Sequence, residues 1–144
     1  MIPFTRRELE RAWRISRDAA KISPRTNAHR LLLFYAVECG LKAAYIKRNN
    51  VNLLDHSIAK VLKHDLNGVM DKLNVSGDLR IPQDLSLHPC SDQTTNAAKI
   101  QRQFNCSELN QTWRYGGKLN PPNDDEKIEK QLEMVAEWID GELR

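Results

Sequence analysis

Two opposite charges in the middle of an apolar segment are the first candidates for a functional site. Glu38 and Lys42 lie within "RLLLFYAVECGLKAAYIKR", residues 30–48, four positions apart, which is one turn of an α-helix. A helix that is apolar nearly all round belongs in the centre of a protein, where charges must be paired or hydrogen-bonded. We therefore predict a buried polar stripe of Tyr35, Glu38 and Lys42. Its candidate partners, both next to predicted helix ends, are Arg114 and His64.

A row of cations in the first predicted helix is the second group of candidate functional residues. It consists of Arg7, Arg11, Arg14, Arg17 and Lys21. Several cations within a few turns are what contacts with nucleic-acid phosphates require. The alternative is a solvated face, partly neutralised by Glu8, Glu10 and Asp18, and we favour it because amphipathic helices commonly carry such charge. The acidic first turn of the last helix, "NDDE", is a further candidate to receive this face from a partner subunit.

The histidines and cysteines do not form a metal-binding pattern. His56 and His64 are eight residues apart instead of four, and His88 and Cys90 flank a proline with no second pair to complete a four-ligand site. The sequence also has no GxSxG elbow, P-loop or dinucleotide-binding fingerprint. We predict no metal and no cofactor.

Length and composition predict one globular domain over residues 1–144. Hydrophobic residues make up 40% and charged residues 28%, and a net charge of +3 with a pI near 8.8 is only mildly basic. The apolar run in residues 31–46 contains two charges and is shorter than the roughly 20 residues of a membrane span. With no apolar signal segment at the N-terminus and three irregularly spaced cysteines, we expect a cytoplasmic protein that does not bind membranes.

Helix caps and apolar periodicity predict an all-α protein, an up-down antiparallel bundle of about five helices. "TRRE" at 5–8 predicts a capping box that opens the first helix, which continues to about Ile22. Ser23 and Pro24 predict the start of the long second helix, which ends near residues 49–50. A short helix to about Lys63 and another that begins at His64–Asp65 follow.

The second half of the chain is predicted to contain one long loop and two helical segments. Gly, Pro and small polar residues predict an internal loop over 74–90, helical character returns over 91–115, and Asn123 with Glu126 predicts a capping box for the last helix. That helix carries an apolar stripe of Ile128, Leu132, Val135 and Ile139. The predicted core contains Trp13, Leu31, Leu32, Phe34, Leu41, Leu66, Trp113, Leu132 and Ile139.

Three segments in a fixed order resemble the HEPN superfamily. They are "LLLFYAVECGLKAAYIKR", "KHDLNGVMDKL" and "LNQTWRYGGKL". The family shares a Tyr-Ala-x-Glu-x-x-Leu-Lys helix, a His-Asp-Leu helix start and an arginine that opens a late helix. The matching residues are Tyr35, Ala36, Glu38, Leu41 and Lys42; His64, Asp65 and Leu66; and Arg114 and Tyr115.

The resemblance implies a helical bundle that dimerises and has a cleft at the dimer interface. Many HEPN proteins are metal-independent ribonucleases of toxin–antitoxin and anti-phage systems, whose arginine and histidine are four to six residues apart. Here no histidine follows Arg114, and Arg25–His29 is the nearest pair, at the head of the second helix. The Arg-Tyr form of the motif is similar to that of non-catalytic family members.

The sequence therefore predicts a non-catalytic HEPN-like interaction module of a bacterial defence or toxin–antitoxin system. We expect a homodimer or a subunit docked on a larger effector, in contact with RNA or DNA. The predicted polar cleft consists of Tyr35, Glu38, Lys42, Arg114 and Tyr115. The alternative is a metal-independent ribonuclease that uses Arg114 or Arg25 with His29 or His64. A second alternative is a basic DNA-binding helical protein.

Overall fold

The computed structural model describes residues 1–91 and 99–144, and within these ranges the protein is mainly α-helical. Its six α-helices are α1 (Arg6–Ala20), α2 (Asn27–Arg48), α3 (His56–Leu62), α4 (Leu66–Lys72), α5 (Leu109–Arg114) and α6 (Asp125–Glu142). Its four strands are β1 (Phe4–Thr5), β2 (Leu53–Leu54), β3 (Leu85–Cys90) and β4 (Ile100–Phe104). Short 3₁₀ turns occur at Gly77–Leu79 and Cys106–Glu108. The strands form two antiparallel pairs, β1 with β2 and β3 with β4, so the prediction of an all-α protein was too strict.

The starts of the helices follow local capping chemistry. Thr5 and Glu8 form the predicted capping box of α1, with the Glu8 carboxylate accepting from the Thr5 backbone N–H at 3.0 Å. The predicted start of α2 at Ser23 and Pro24 was wrong, because Thr26 caps this helix. The Nδ1 of His29 lies 2.9 Å from the Thr26 hydroxyl, where a capping box normally has a glutamate.

The antiparallel pair of β3 and β4 is the largest departure from the sequence-based prediction. Residues 74–90 were predicted as a loop and 91–115 as helical, but Leu85 pairs with Phe104 across two antiparallel strands. The prediction for 92–98 lies outside the described residues. Leu85 is buried and Leu87 half-buried on alternating positions, the period of a strand. That pattern is two residues long, too short to be distinguished from a loop without its cross-strand partner.

The core forms around α2, which packs against α1, α4, α5 and α6. Gly40 permits the closest approach, since a Cβ atom there would lie 2.7 Å from Ile139 Cγ2 and 3.0 Å from Trp13 Cε3. The predicted core residues are buried except for Leu31 and Leu32, which are only partly buried because Leu33 takes the inward position. None of the helices in the described ranges is both long and apolar enough to cross a bilayer.

The last helix begins one residue later than predicted. Asp124, and not Asn123, caps α6 by accepting from the Lys127 N–H at 3.0 Å, while the Asn123 side chain donates to the Asp84 carbonyl. The apolar stripe of α6 is buried as predicted: Ile128, Leu132, Val135 and Ile139. Asp65 caps α4 as predicted, accepting from the Gly68 N–H at 3.1 Å.

Candidate functional site

The opposite charges of α2 lie in the protein interior and pair with each other. Glu38 and Lys42 are 9% and 8% exposed, and Lys42 Nζ donates to Glu38 Oε2 at 2.9 Å. Burial raises the pKa of the neighbouring Cys39 thiol to about 11, the Glu38 charge adding to the effect and the Lys42 charge opposing it. The two side chains therefore form a buried ion pair whose remaining hydrogen-bonding capacity faces other elements.

His64 supplies the second partner of Glu38. Its Nδ1 lies 2.9 Å from Glu38 Oε1, while 59% of the side chain is exposed, so the Nε2 edge of the ring is left for solvent or a ligand. The position of His64 depends on the start of α4, because Asp65 caps that helix. Gly68 is required there, since a Cβ atom would lie 2.5 Å from Asp65 Oδ2. Cys106 Sγ also lies 3.9 Å from Asp65 Oδ1, a contact between the N-cap of α4 and the 3₁₀ turn before α5.

Arg114 joins the same face of α2 through Tyr35, one turn before Glu38. An Nη of Arg114 donates to the Tyr35 hydroxyl. The hydrogen bond with Tyr35, and after it the one with Tyr115, raises the pKa of Arg114 above its ordinary value. Arg114 is exposed, and Tyr115 is 77% exposed. We call Tyr35, Glu38, Lys42, His64 and Arg114 the α2 charged cluster. It extends from the buried Glu38–Lys42 ion pair to the exposed Arg114, which is followed by the exposed Tyr115.

The position of Arg114 in its helix differs from what the HEPN resemblance implies. Arg114 is the last residue of α5, a helix of 6 residues, and does not open a late helix. Gly116 follows with φ +78°, a left-handed conformation that stops the helix, and α6 begins only at Asp125. A family-type histidine on the same helix as Arg114 therefore has no place in this fold.

The alternative pair Arg25 and His29 has structural contacts instead. Arg25 forms an ion pair with Glu133 and donates from Nε to the Ala20 carbonyl at 2.7 Å. His29 uses Nδ1 to cap α2, as described above. His29 lies nine residues before Glu38, about 13.5 Å along the helix axis at 1.5 Å per residue. These two residues therefore do not belong to the α2 charged cluster.

A network next to Arg114 was missed by the sequence analysis. The Trp113 indole N–H donates to Asp125 Oδ1 at 2.9 Å, and Arg30 lies 3.8 Å from Asp125 and 2.6 Å from Glu129. This network links α5 to α6 and so holds Trp113, the residue before Arg114, in place. The available signal was Trp113 itself, since a buried indole N–H needs an acceptor. A cavity of about 730 Å³ lies over the same network, and no residue of the α2 charged cluster lines it.

The predicted cation row of α1 divides into two groups. Arg17 stacks over the Trp13 ring at 5.0 Å and pairs with Asp140 at 3.7 Å, and Lys21 pairs with Asp18 at 3.8 Å. Arg7, Arg11 and Arg14 are exposed and form no ion pair within 4.0 Å among the described residues. Ile15, an apolar residue of the same helix, is 63% exposed.

Within residues 1–91 and 99–144, no three His, Cys, Asp or Glu side chains are grouped as a metal site. Comparisons of the chain with models of protein families, with curated proteins and with solved structures find no significant match. The fold and the site therefore define a coarse class: a mainly helical protein whose central helix carries a partly buried charged cluster that opens to solvent at His64, Arg114 and Tyr115.

Proposed function

We propose that this protein is a non-catalytic HEPN-like interaction module of a bacterial anti-phage defence or toxin–antitoxin system, acting as a homodimer or docked on a larger effector. The observation that carries the proposal is the arrangement of the three motif segments. Glu38 contacts both Lys42 and His64, and Tyr35 contacts Arg114, so residues from the three HEPN-like motifs meet on one face of α2.

The solvent-exposed edge of the α2 charged cluster, at Arg114 and Tyr115, supports binding more than catalysis. The Glu38 carboxylate is already engaged by Lys42 and His64, and Arg114 is engaged by Tyr35, so the interior charges need no ligand. Tyr115 is large and 77% exposed beside the exposed Arg114. Tyrosine and arginine are enriched among residues that dominate protein–protein interfaces. The partner surface is therefore centred on Arg114 and Tyr115.

One observation favours the ribonuclease alternative. His64 offers Nε2 to solvent while Glu38 holds Nδ1, the arrangement that orients a histidine for proton transfer. An arginine near the same helical face would stabilise charge on a phosphate. In this alternative His64 moves the proton and Arg114 binds the phosphate, with Glu38 as the residue that positions His64.

Sedimentation of the full chain over a range of concentrations tests the binding proposal. We expect a dimer that Tyr115→Ala weakens at least tenfold, because truncating a residue that dominates an interface costs about 2 kcal/mol or more. Met134→Ala, which removes another large side chain that is 45% exposed, is the control. A wild-type chain that stays monomeric, or a dimer equally tolerant of both substitutions, contradicts the homodimer form.

Incubation of the protein with RNA in EDTA distinguishes the two functions. The interaction module leaves the RNA intact. RNA cleavage that persists in EDTA and disappears in both His64→Ala and Arg114→Ala would replace our proposal with the ribonuclease alternative.

A further inference from the structure

The acidic residues of α1 do not neutralise three of its arginines. Glu8 accepts from the Thr5 backbone N–H and hydroxyl, Glu10 pairs with Arg6 at 3.4 Å, and Asp18 pairs with Lys21. Each of these three carboxylates thus has a partner other than Arg7, Arg11 and Arg14. The hydrogen bonds from Thr5 lower the pKa of Glu8, and the charge of Arg11 adds to this effect, but Arg11 forms no ion pair with Glu8 within 4.0 Å.

Arg7, Arg11 and Arg14 point away from the core in a single row. Their spacing of four and three residues places them on one face of α1, opposite the buried Leu9, Trp13 and Ala20. Arg7 and Arg14 are seven residues apart, about 10.5 Å along the helix axis at 1.5 Å per residue. Phosphates of one duplex strand advance by about 3.4 Å along the helix axis, so the row matches the span of roughly three or four of them. We call these three residues the arginine row.

A polar groove extends the arginine row at its N-terminal end. The groove has a volume of about 350 Å³, lies between the start of α1 and the end of α2, and is lined by Arg6, Arg7, Lys47, Asn50 and Asn52 among others. Lys47 Nζ donates to the Glu142 carbonyl at 2.8 Å and to the Arg144 carbonyl at 3.4 Å. The groove therefore adds Lys47 and two amide side chains next to Arg7, while Arg6, which also lines it, is paired with Glu10.

We infer that the arginine row and this groove bind the phosphodiester backbone of a nucleic acid. The chemistry favours phosphate over an acidic protein for two reasons. Arginine presents a planar fork of donors that fits phosphate oxygens. The row also has no apolar centre, because Ile15 lies at its edge, whereas the core of a protein–protein interface is apolar and poor in charge. Backbone contacts of this kind carry no base specificity.

Fluorescence anisotropy of the full chain with labelled probes tests the inference. The probes are a single-stranded RNA and a duplex DNA of mixed sequence, titrated at several salt concentrations. We expect salt-dependent binding, and the triple variant R7Q/R11Q/R14Q should lower affinity at least tenfold. It should also reduce the slope of log K against log salt by about 2 to 3, since each phosphate contact contributes roughly 0.7 to 0.9. The stronger-bound probe distinguishes RNA from DNA.

The matched control is K60Q/K72Q/K127Q, which removes the same charge from three exposed lysines outside α1. It should keep nearly the whole slope and affinity. Equal losses in both triple variants, no binding by the wild type, or equal competition by poly-glutamate at the same charge would overturn the inference. Because neither triple variant alters Arg114 or Tyr115, sedimentation of both variants keeps this outcome separate from the test of the interaction module.

Discussion

The charged cluster of α2 and the arginine row of α1 show how differently two helices of one protein use charge. On α2, Glu38 and Lys42 are almost completely buried and paired at 2.9 Å. On α1, Arg7, Arg11 and Arg14 are exposed and have no acidic partner within 4.0 Å in the described ranges. Removing Glu38 leaves the buried Lys42 without its partner, whereas removing charges from the second group leaves only solvated neighbours.

Spacing alone does not determine the role of a charge in this protein. Glu38–Lys42 and Arg6–Glu10 are both opposite charges four residues apart, but Arg6 is half exposed and its pair is 3.4 Å long. A pair at the surface contributes a few tenths of a kcal/mol. A buried pair is costly to break because the remaining charge is desolvated. The α2 charged cluster therefore constrains the fold, and the arginine row remains free to bind.

The largest expected effect is that of Glu38→Ala. This substitution leaves Lys42 buried without its carboxylate, so we expect the free energy of unfolding to fall by about 3 kcal/mol in a urea titration. Glu137→Ala, on the exposed face of α6, should change it by less than about 0.5 kcal/mol. Replacing both charges, in E38L/K42M, should recover most of the loss because no unpaired charge remains. Equal effects of the two alanine variants would contradict the burial of the Glu38–Lys42 pair.

Gly40→Ala tests the close packing of α2 against α1 and α6. The added methyl group would lie 2.7 Å from Ile139 Cγ2, so α1 or α6 must move, and we expect a loss of about 2 kcal/mol. Gly141→Ala in α6 is the matched control, because its Cβ meets no atom within 4 Å; it should stabilise the helix by about 0.5 kcal/mol. Thermal unfolding of both variants measures the difference. A neutral Gly40→Ala would mean that the contact between α1, α2 and α6 is looser than described.

Glu8→Gln tests whether the Glu8 carboxylate is held in the capping box by Thr5. Of the three substitutions it should change the free energy of unfolding least. The hydrogen bonds from Thr5 lower the pKa of Glu8 below its ordinary 4.5. A carboxylate whose pKa is lowered on folding contributes stability that is fully present above the unfolded value and is lost as the pH falls through the folded value. The stability difference between wild type and Glu8→Gln should therefore be constant above pH 4.5 and shrink below it.

Glu137→Gln, which removes an exposed carboxylate that caps no helix, is the control for the pH series. If wild type and Glu8→Gln lose stability in parallel below pH 4.5, Glu8 is not held by Thr5. It would then be available to neutralise Arg11, and the arginine row would lose one of its free cations.

Sequence reasoning identified the parts of the site that depend on local spacing. The buried pair follows from two charges one turn apart in an apolar helix, and the caps at Thr5 and Asp65 follow from side chains that satisfy nearby N–H groups. His64 and Arg114 were nominated as partners because both lie next to helix ends. Their contacts with Glu38 and Tyr35 occur at sequence separations of 26 and 79.

Other features depend on contacts that no local pattern specifies. The strand at Leu85–Cys90 is stabilised by Ile100–Phe104, and its own sequence is a loop-like mixture of proline, serine and histidine. The engagement of Trp113 with Asp125, and of Arg25 with Glu133, likewise joins distant segments. Which arginines of α1 remain unpaired was decided in the same way, since Arg17 meets Asp140 at the far end of the chain.

The central α2, its buried charge pair and the caps of α1 and α4 follow from the sequence, because each depends on residues close together in the chain. Tertiary contacts alone specify which residues complete the α2 charged cluster, that Leu85–Cys90 pairs with Ile100–Phe104, and which cations of α1 form no ion pair in the described ranges. The physical reason is that pairing and burial of side chains are set by distant segments, whose approach is governed by packing of the whole core.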